Sequence, residues 1–262
     1  MPVIPTIPTT RLSQKEFGDL AYDVTGQVIA VHRDFGRLFD ELIYKREVAA
    51  RRSDALLEVG VDLIHGTFTK RLFADVIVRG GALFEFKSAE ALHSRHRSQT
   101  IQYLLLFGLA HAKLFNVRNE SLEHEFVNCT TTRQERQNFT VDDREFASET
   151  AGAVRFKESL ISVLRDWGTG LEVATYEEAV IHLLGGEDAV VCNVPVLGTA
   201  GHIADQRMRL AVPNAAFKIT SLAQGEESLT AHARRILAHT PLDFIHWANI
   251  HQNTVRFTTL RK

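Results

Sequence analysis

Cysteine is scarce in this chain of 262 residues, which holds two, Cys129 and Cys192. Two widely separated cysteines cannot build the disulfide framework of a small secreted domain, and they fit a reducing compartment. We therefore expect a cytoplasmic protein. Histidine is more frequent, with 12 residues, but no His-x-x-x-His or mixed Cys and His pattern of the zinc type occurs. No zinc site is predicted.

Long apolar runs and an excess of charge are missing too. The longest apolar run, Tyr103 to Ala110, is too short to cross a bilayer, and the first residues lack a basic stretch followed by a continuous apolar core. We expect a soluble protein with no membrane partner. The formal net charge is -2, so a nucleic-acid partner requires local basic clusters or a bound cation.

Two structured segments follow an extended arm. Three prolines lie in the arm, residues 1–12, and Ser13 then caps an amphipathic helix. Residues 13–130 alternate helices with β-prone runs in the order α, β-meander, α, β, and residues 151–262 repeat this order. Residues 131–150 include a polar stretch without periodicity, which is predicted to be a linker. The repeated order predicts a diverged internal duplication.

A β-hairpin is predicted where residues 79–81 (Arg-Gly-Gly) separate two apolar, β-prone runs. If these three residues form the loop, Asp75 lies directly opposite Glu85, with Cβ atoms about 4.5 to 5.5 Å apart. Lys87, two residues beyond Glu85, then points to the same face. A two-residue turn would instead send Asp75 and Glu85 to opposite faces of the sheet.

Two interpretations of Asp75, Glu85 and Lys87 remain open. In the first, the two carboxylates hold one divalent cation. In the second, Glu85 and Lys87 are solvated on the outer face of an amphipathic strand, and Asp75 pairs with Lys87. Carboxylate and ammonium groups on an apolar sheet are unfavourable unless they are paired or metal-bound.

Further polar residues stand on the flanking helices. Gln99 and Tyr103 are four positions apart and project from one side of a helix, and Glu41 and Tyr44 stand on one side of an earlier helix that follows Gly36. For Tyr103 the alternative is a core aromatic residue whose hydroxyl group reaches the surface.

A local basic cluster precedes the hairpin and the Gln99 helix. Its members are Lys70 and Arg71 before the hairpin, and His93, Arg95, His96 and Arg97 before the Gln99 helix. The cluster is a candidate contact for nucleic-acid phosphates, and simple solvation of these charges is the alternative.

These segments resemble the PD-(D/E)XK nuclease superfamily, and within it the bacterial GxxExxY proteins. The residues that carry the resemblance read Gly36-Arg-Leu-Phe-Asp-Glu41-Leu-Ile-Tyr44, Ala74-Asp75, Phe84-Glu85-Phe86-Lys87 and Gln99-Thr-Ile-Gln-Tyr103. The Gln-x-x-x-Tyr element is similar to that of nuclease domains fused to bacterial recombination helicases. The likeness covers residues 13–128. In the family the glycine lies closer to its glutamate than Gly36 does to Glu41, which leaves the start of that helix open.

The resemblance implies a restriction-endonuclease-like α/β (α+β) fold, a mixed sheet flanked by helices, present twice if the duplication is real. It also implies a metal-dependent nuclease that acts on DNA with Mg²⁺ or Mn²⁺ as cofactor. Asp75, Glu85 and the carbonyl group of Phe86 would ligate the cation. Glu41 would bind the cation or a water molecule on it.

The resemblance gives the remaining residues supporting roles. Lys87 would orient or deprotonate the attacking water, and Gln99 and Tyr103 would orient Lys87 or a phosphate group. Two alternatives stay open: an RNA-directed nuclease, since a metal site contacts phosphate rather than sugar, and a binding or regulatory protein that keeps the nuclease fold without useful turnover.

The second half is predicted to be a degenerate copy without clustered carboxylates. Aligning Gly168–Tyr176 with Gly36–Tyr44 puts Val173 at the place of Glu41. The other counterparts are Gln206 or a neighbour for Asp75, Lys218 and Thr220 for Glu85 and Lys87, and His232 and Arg235 for His96 and Gln99. Metal is therefore expected in the first copy only. The second copy is expected to pack against the first, to shape a nucleic-acid groove, or to bind a protein partner or a second copy of the chain.

Overall fold

The computed structural model describes residues 2–262, which divide into two compact units after Arg133. Each unit is built on a six-stranded mixed sheet flanked by helices. The predicted fold class, a restriction-endonuclease-like mixed sheet present twice, is confirmed. Within residues 2–262, no helix combines the length and the apolar character that a membrane span requires.

The first unit has strands that follow chain order across its sheet. Its helices are α1 (Gln14–Phe35), α2 (Glu41–Ala50) and α3 (Ser94–Phe107), and its strands are β1 (Val3–Pro5), β2 (Ala55–His65), β3 (Phe68–Val78), β4 (Ala82–Lys87), β5 (His111–Asn116) and β6 (Glu123–Asn128). Strands β4 and β5 pair in parallel, and the other neighbours pair antiparallel. The parallel pair needs a crossover connection, and α3 supplies it.

Helix α1 begins at a capping box and covers one face of the hairpin. Ser13 Oγ accepts a hydrogen bond from Glu16 N at 3.3 Å, and Glu16 Oε2 accepts one from Ser13 N at 2.9 Å. The apolar cluster beneath α1 contains five even-numbered hairpin residues, Val76, Val78, Ala82, Phe84 and Phe86. Because side chains alternate along a strand, the odd-numbered Asp75, Glu85 and Lys87 lie on the other face.

The N-terminal arm, predicted over residues 1–12, is extended over residues 2–12, and Met1 lies outside the described residues. Part of the arm also joins the sheet. Strand β1 pairs antiparallel with β2, and Thr10 N donates a hydrogen bond to Gly80 O at 3.0 Å. A Cβ atom at Gly81 would lie 2.5 Å from Thr10 O, so the arm passes this close to the hairpin loop because the residue is glycine. A three-residue strand between prolines has no alternation that would reveal it in the sequence.

Residues 131–150, predicted to be a linker, contain a helix and a strand. Helix α4 spans Arg133–Gln137, and β7 spans Thr140–Glu145. Strand β7 pairs in parallel with β12 (Thr254–Arg261) and so belongs to the second sheet. Its side chains are almost all exposed, because β7 is an edge strand. The strand therefore lacks the alternation of buried and exposed residues by which a sequence reveals a strand.

The second unit has the strand order β7-β12-β11-β10-β9-β8. Its further helices are α5 (Ala153–Trp167), α6 (Val173–Leu183), α7 (Glu187–Val190) and α8 (Glu226–Ala238), and its further strands are β8 (Val191–Gly198), β9 (Gly201–Val212), β10 (Ala215–Thr220) and β11 (Phe244–His251).

Both units share one connectivity through most of their length. In each, two helices precede three antiparallel strands, with the short α7 added before the strands in the second unit. A helix then crosses over, and the next strand pairs in parallel with the third: β4 with β5, and β10 with β11. A last strand, β6 or β12, returns antiparallel. The extra strand differs, because β1 extends the first sheet beside β2 whereas β7 extends the second beside β12. The predicted duplication of element order is confirmed.

One repeated contact fixes the alignment of α2 with α6. The Tyr44 hydroxyl group donates a hydrogen bond to Gly36 O at 2.5 Å, and the Tyr176 hydroxyl group donates one to Gly168 O at 2.6 Å. In both pairs the tyrosine follows the glycine by eight residues. The alignment of Gly168–Tyr176 with Gly36–Tyr44 therefore rests on geometry as well as on sequence.

A second repeated contact fixes the alignment of β5 with β11. Asn116 donates from Nδ2 to Ala89 O at 2.9 Å and accepts at Oδ1 from Ala89 N at 3.1 Å. Asn249 holds Leu222 in the same two ways, at 3.0 and 2.8 Å. Each asparagine thus fixes the loop that leaves the preceding strand, β4 or β10.

Replacing Tyr176 with phenylalanine tests the buried tyrosine of the second unit. Its hydroxyl group donates to Gly168 O and accepts from Leu171 N at 3.0 Å, so its removal leaves two buried backbone groups without these partners. We expect the free energy of unfolding to fall by about 2 kcal/mol. The measurement is urea denaturation followed by the fluorescence of Trp167 and Trp247, which report the second unit, and by circular dichroism, which reports both units.

Tyr22→Phe is the matched control, because this tyrosine is 82% exposed. It should leave the urea midpoint at the wild-type value. Equal midpoints for Tyr176→Phe and the control would contradict the structural role given to Tyr176.

Candidate functional site

The hairpin of β3 and β4 has the three-residue loop that the sequence predicted. Val76 pairs with Phe84, so Asp75 comes opposite Glu85, and the two-residue turn is excluded. The regular ladder between these strands ends at the pair of Val76 and Phe84. The candidate site therefore begins where backbone pairing stops.

Two opposed carboxylates take the place of the missing backbone pairs. Asp75 Oδ2 accepts a hydrogen bond from Phe86 N at 2.8 Å, and Glu85 Oε1 accepts one from Asp75 N at 3.0 Å. Glu85 is 1% exposed and Asp75 is 8% exposed. The interpretation that places Glu85 on a solvated outer face is therefore wrong.

Lys87 lies beside Glu85, as the period-two alternation of a strand requires. Its Nζ atom is 3.5 Å from Glu85 Oε2, and its side chain is 13% exposed. The alternative that paired Lys87 with Asp75 is also wrong, because Asp75 forms its ion pair with a lysine from α2.

That lysine is Lys45, which the sequence interpretation missed. Its Nζ atom is 2.8 Å from Asp75 Oδ1 and 3.2 Å from Glu58 Oε1. Burial lowers the pKa of Lys45, but hydrogen bonds and charge attraction from the two carboxylates outweigh burial and raise it overall. One signal was available, since Lys45 follows Glu41 by four residues and so shares its side of α2.

Glu58 occupies a break in strand β2. Its φ angle is 49°, a region that few residues other than glycine adopt. The pairing of β2 with β3 skips Glu58 and Asp75. At Asp75, β3 is therefore unpaired with both β2 and β4. Irregular backbone of this kind often accompanies functional sites.

Burial and like charge act together on Glu85. Burial is the larger cause and the negative charge of Asp75 the next, and they raise the pKa of Glu85 to about 8, although Lys87 opposes the shift. At neutral pH the Glu85 carboxyl group therefore tends to keep its proton unless further positive charge joins the pair.

The oxygen donors at this point suit a hard divalent cation. Asp75 and Glu85 supply two carboxylates, and Phe86, the residue after Glu85, supplies a carbonyl group. Among residues 2–262, no three side chains of histidine, cysteine, aspartate or glutamate are grouped so as to hold a metal ion. The donor set is therefore a carboxylate pair to which backbone and water must add.

Glu41 lies near the end of β4. It is the first residue of α2, which settles the start of that helix five residues after Gly36. Glu41 Oε2 accepts a hydrogen bond from Ser88 N at 3.1 Å, one residue beyond Lys87. Its predicted part in metal binding stays a prediction.

A model of the PD-(D/E)XK nuclease superfamily matches residues 18–128. These residues belong to the PD-(D/E)XK nuclease superfamily. No curated protein matches the chain. A solved structure described as "Crystal structure of SSO0001" is similar at 16% identity, covers 44% of this chain and 74% of that chain, and has a TM-score of 0.25. A TM-score this low supports no structural argument, and the assignment rests on the family match.

In the PD-(D/E)XK domain, α3 carries the Gln-x-x-x-Tyr element. Gln99 is half-buried, and Tyr103 is 6% exposed. His96 stands one turn earlier, and burial, followed by the positive charge of Lys87, lowers its pKa. The beginning of α3 is thus within electrostatic reach of Lys87, while the orienting roles of Gln99 and Tyr103 stay predictions.

Two members of the predicted nucleic-acid cluster are already bound to carboxylates. Arg71 makes two hydrogen bonds of 2.6 Å to Asp62, and Arg97 makes two of 2.6 and 2.7 Å to Glu125. Lys70 lies inside β3. Because each guanidinium group is partly neutralised, the attraction of this cluster for phosphate is weaker than its sequence suggests.

The second unit places other residues at the positions of the PD-(D/E)XK residues. Matching the two asparagine contacts puts Thr220 at the place of Lys87 and Lys218 at the place of Glu85, as the sequence predicted. Lys218 and Thr220 offer no carboxylate for a cation.

The counterpart of Asp75 is shifted from the prediction. Counting along β9 from the last pair of its ladder with β10 puts Met208 opposite Lys218, two residues from the predicted Gln206. This ladder contains a register shift between Ala215 and Ala216, and periodicity does not reveal such an irregularity.

The charge of the helix residue that meets the sheet is positive in the first unit and negative in the second. Lys45 and Glu177 each follow the buried tyrosine of their helix. Glu177 is 7% exposed, its Oε2 atom is 3.1 Å from Arg209, and its Oε1 atom is 3.9 Å from Lys218. In both units a helix charge meets opposite charges on the sheet.

Replacing Lys45 with methionine removes the ammonium group nearest to Asp75. Because Asp75 would remain buried without it, we expect the free energy of unfolding in EDTA to fall by about 3 kcal/mol. The measurement is urea denaturation followed by circular dichroism. Adding Asp75→Leu to this variant removes both charges and should restore part of the loss, while the loss of the acceptor for Phe86 N remains.

Lys15→Met is the control, since the ion pair of Lys15 with Asp19 is exposed. It should change stability by no more than about 0.5 kcal/mol. The same small change for Lys45→Met would show that the buried ion pair contributes nothing.

Proposed function

We propose that residues 18–128 hydrolyse phosphodiester bonds of DNA with Mg²⁺ or Mn²⁺ as cofactor. The observation that carries the proposal is the buried pair of Asp75 and Glu85 at the break in the hairpin, with Lys87 on the same face. The superfamily to which these residues belong supports chemistry of the nuclease type.

The cation would be held by the carboxylates of Asp75 and Glu85 and by the carbonyl group of Phe86, with Glu41 as a further ligand or a partner of a bound water. When bound, the cation supplies charge neutralisation at the phosphate and a more acidic water. The raised pKa of Glu85 supports this assignment, because added positive charge would keep its carboxyl group ionised.

Lys87 is the group of this chain that acts on the attacking water. Its Nζ atom lies 3.5 Å from Glu85 Oε2, and its side chain keeps 13% of its surface exposed. It can therefore donate a hydrogen bond to a water molecule or to a phosphate oxygen beside the carboxylates. Gln99 and Tyr103 on α3 would limit the positions that Lys87 or the phosphate group takes.

Lys45 would affect how strongly the site binds a cation. It contacts Asp75 Oδ1 at 2.8 Å, so it competes with a cation for that carboxylate. Glu58, at 3.2 Å, gives Lys45 a second partner when Asp75 is engaged elsewhere. When a cation binds Asp75, Lys45 would thus keep its ion pair with Glu58, and its ammonium group would not be buried without a partner.

A second candidate function is nucleic-acid binding or regulation without turnover. It is favoured by the ion pair of Lys45 with Asp75, which neutralises the site in the metal-free chain, and by the lack of a third grouped ligand among residues 2–262. A preference for RNA is a further alternative, because the donors of this site would contact phosphate and not sugar.

Nucleic acid is the proposed partner, and DNA the proposed substrate. Lys70, Arg95 and His96 would add to the attraction for phosphate. Arg71 and Arg97 would add the part of their positive charge that Asp62 and Glu125 do not neutralise. We propose a cytoplasmic location, since Cys129 and Cys192 are both free thiols. The second unit is proposed as the place for a protein partner or a second copy of the chain.

Cleavage assays with site variants test the proposed function. Labelled linear and circular DNA and RNA are incubated with Mg²⁺, Mn²⁺ or EDTA. Asp75→Asn, Glu85→Gln and Lys87→Met should each lower the rate of metal-dependent cleavage of DNA by at least about 100-fold, because several kcal/mol of charge stabilisation are lost. EDTA should abolish cleavage by the wild-type chain.

Asp54→Asn, in the turn before β2, is the matched control. Asp54 also accepts charged hydrogen bonds, but from Arg52 and Arg79, and its loss should leave cleavage within about twofold of wild type. Cleavage that persists in EDTA or in the Asp75 and Glu85 variants would remove the hairpin as the active site. Metal binding without cleavage of any substrate would favour the regulatory function.

A further inference from the structure

The second unit contains a cavity of about 580 Å³ between β9, β10 and α8. Its floor is apolar and includes Met208, Phe217 and Ile236. Its basic lining residues come from both strands and the helix, and they are Arg207, Arg209, Lys218, His232, Arg235 and His239. Among the lining residues that the structure describes, none is an aspartate or a glutamate.

Nearby carboxylates neutralise only part of this charge. Glu177 lies 3.1 Å from Arg209 and 3.9 Å from Lys218, and Glu187 lies 2.6 Å from Arg207. Arg207, Arg209, Lys218 and Arg235 are four permanent cations, so two carboxylates leave an excess of two before the histidines are counted. An apolar cavity lined by excess positive charge favours an anionic ligand.

Arg207, Arg209 and Lys218 each lie near a carboxylate, whereas Arg235 contacts a histidine. Arg235 is exposed on α8, and its Nη1 atom is 3.4 Å from His232 Nδ1. A guanidinium group presents several N–H donors in one plane, which match phosphate oxygens in pairs. Arg235 is therefore the lining residue best suited to a ligand from outside the chain.

The cavity lies at the counterpart of the PD-(D/E)XK site, with the signs of charge reversed. Lys218 stands where the first unit has Glu85, and Glu177 stands where it has Lys45. The first site offers carboxylates to a cation. The second offers cations to an anion, and it needs no metal ion.

We propose that this cavity binds a nucleotide phosphate without metal, either within a nucleic-acid strand or as a free nucleotide. The arginines and Lys218 take the phosphate group, and the apolar floor takes the sugar or the base. The volume lies within the range of small-molecule sites. The proposal goes beyond the proposed function, because it concerns the other unit and requires no cleavage.

The test measures binding by the full chain in EDTA, at one fixed salt concentration. The probe is a short oligodeoxynucleotide with a fluorescent label, read by anisotropy, and adenosine monophosphate is added as a competitor. Arg235→Glu should weaken binding by about tenfold or more, since a charged hydrogen bond to phosphate is lost and a repulsion is added. Lys218→Gln, on β10, should weaken it in the same direction.

Arg234→Glu is the matched control. It makes the same charge change one residue away, at a position that lines a different cavity. The affinity should stay within about twofold of wild type, because moderate salt screens a charge that does not contact the phosphate. Thermal unfolding of each variant checks the fold. Competition by adenosine monophosphate identifies a free-nucleotide site, and binding of the strand without such competition identifies a strand site. Both results support the proposal.

Three results would overturn it: no binding of either probe in EDTA, equal losses from Arg234→Glu and Arg235→Glu, or displacement of the oligonucleotide by poly-glutamate as readily as by unlabelled DNA. The last would point to an acidic protein instead. Asp75→Asn separates this proposal from the proposed function, since it should abolish cleavage while the effect of Arg235→Glu on binding persists.

Discussion

The structure of the first unit depends on the replacement of backbone pairing by carboxylates at one point of its sheet. Asp75 and Glu85 each accept a hydrogen bond from a main-chain N–H group across the hairpin, so removing either one leaves a buried amide without its partner. Two buried carboxylates need positive charge nearby, and Lys45 and Lys87 supply it. The irregular backbone at Glu58 accompanies this site, and it brings a third carboxylate to Lys45.

In both units opposite charges meet between a helix and the sheet at this place, although the signs are reversed. In the first unit an ammonium group on α2 meets carboxylates of the sheet, whereas in the second Glu177 on α6 meets Arg209 and Lys218. Either arrangement satisfies the partly buried charges of the other element. The ligands that we propose for the two sites differ accordingly, a cation in the first unit and an anion in the second.

The sequence predicts features that are local and misses those that depend on contacts distant in the chain. The position of Asp75 opposite Glu85 follows from a three-residue loop, and the counterparts Lys218 and Thr220 follow from the order of elements. The ion pair of Lys45 with Asp75 joins residues 30 positions apart, and no periodicity encodes it. Strand β7 and the sheet pairing of β1 were missed because edge strands and proline-rich strands lack a buried alternation.

The burial of Glu85 is difficult to attribute to folding alone. At its counterpart position the second unit carries Lys218, whose side chain is 48% exposed, while Glu85 is 1% exposed and has a pKa raised to about 8. The same connectivity is therefore built without a buried acid at this place. A buried acid that the fold does not require, set opposite a second one at a break in the sheet, is an arrangement that lowers stability unless a ligand of positive charge compensates for it. This is the relation expected when a site is shaped for a bound cation, and it supports the carboxylate pair as the centre of the proposed chemistry.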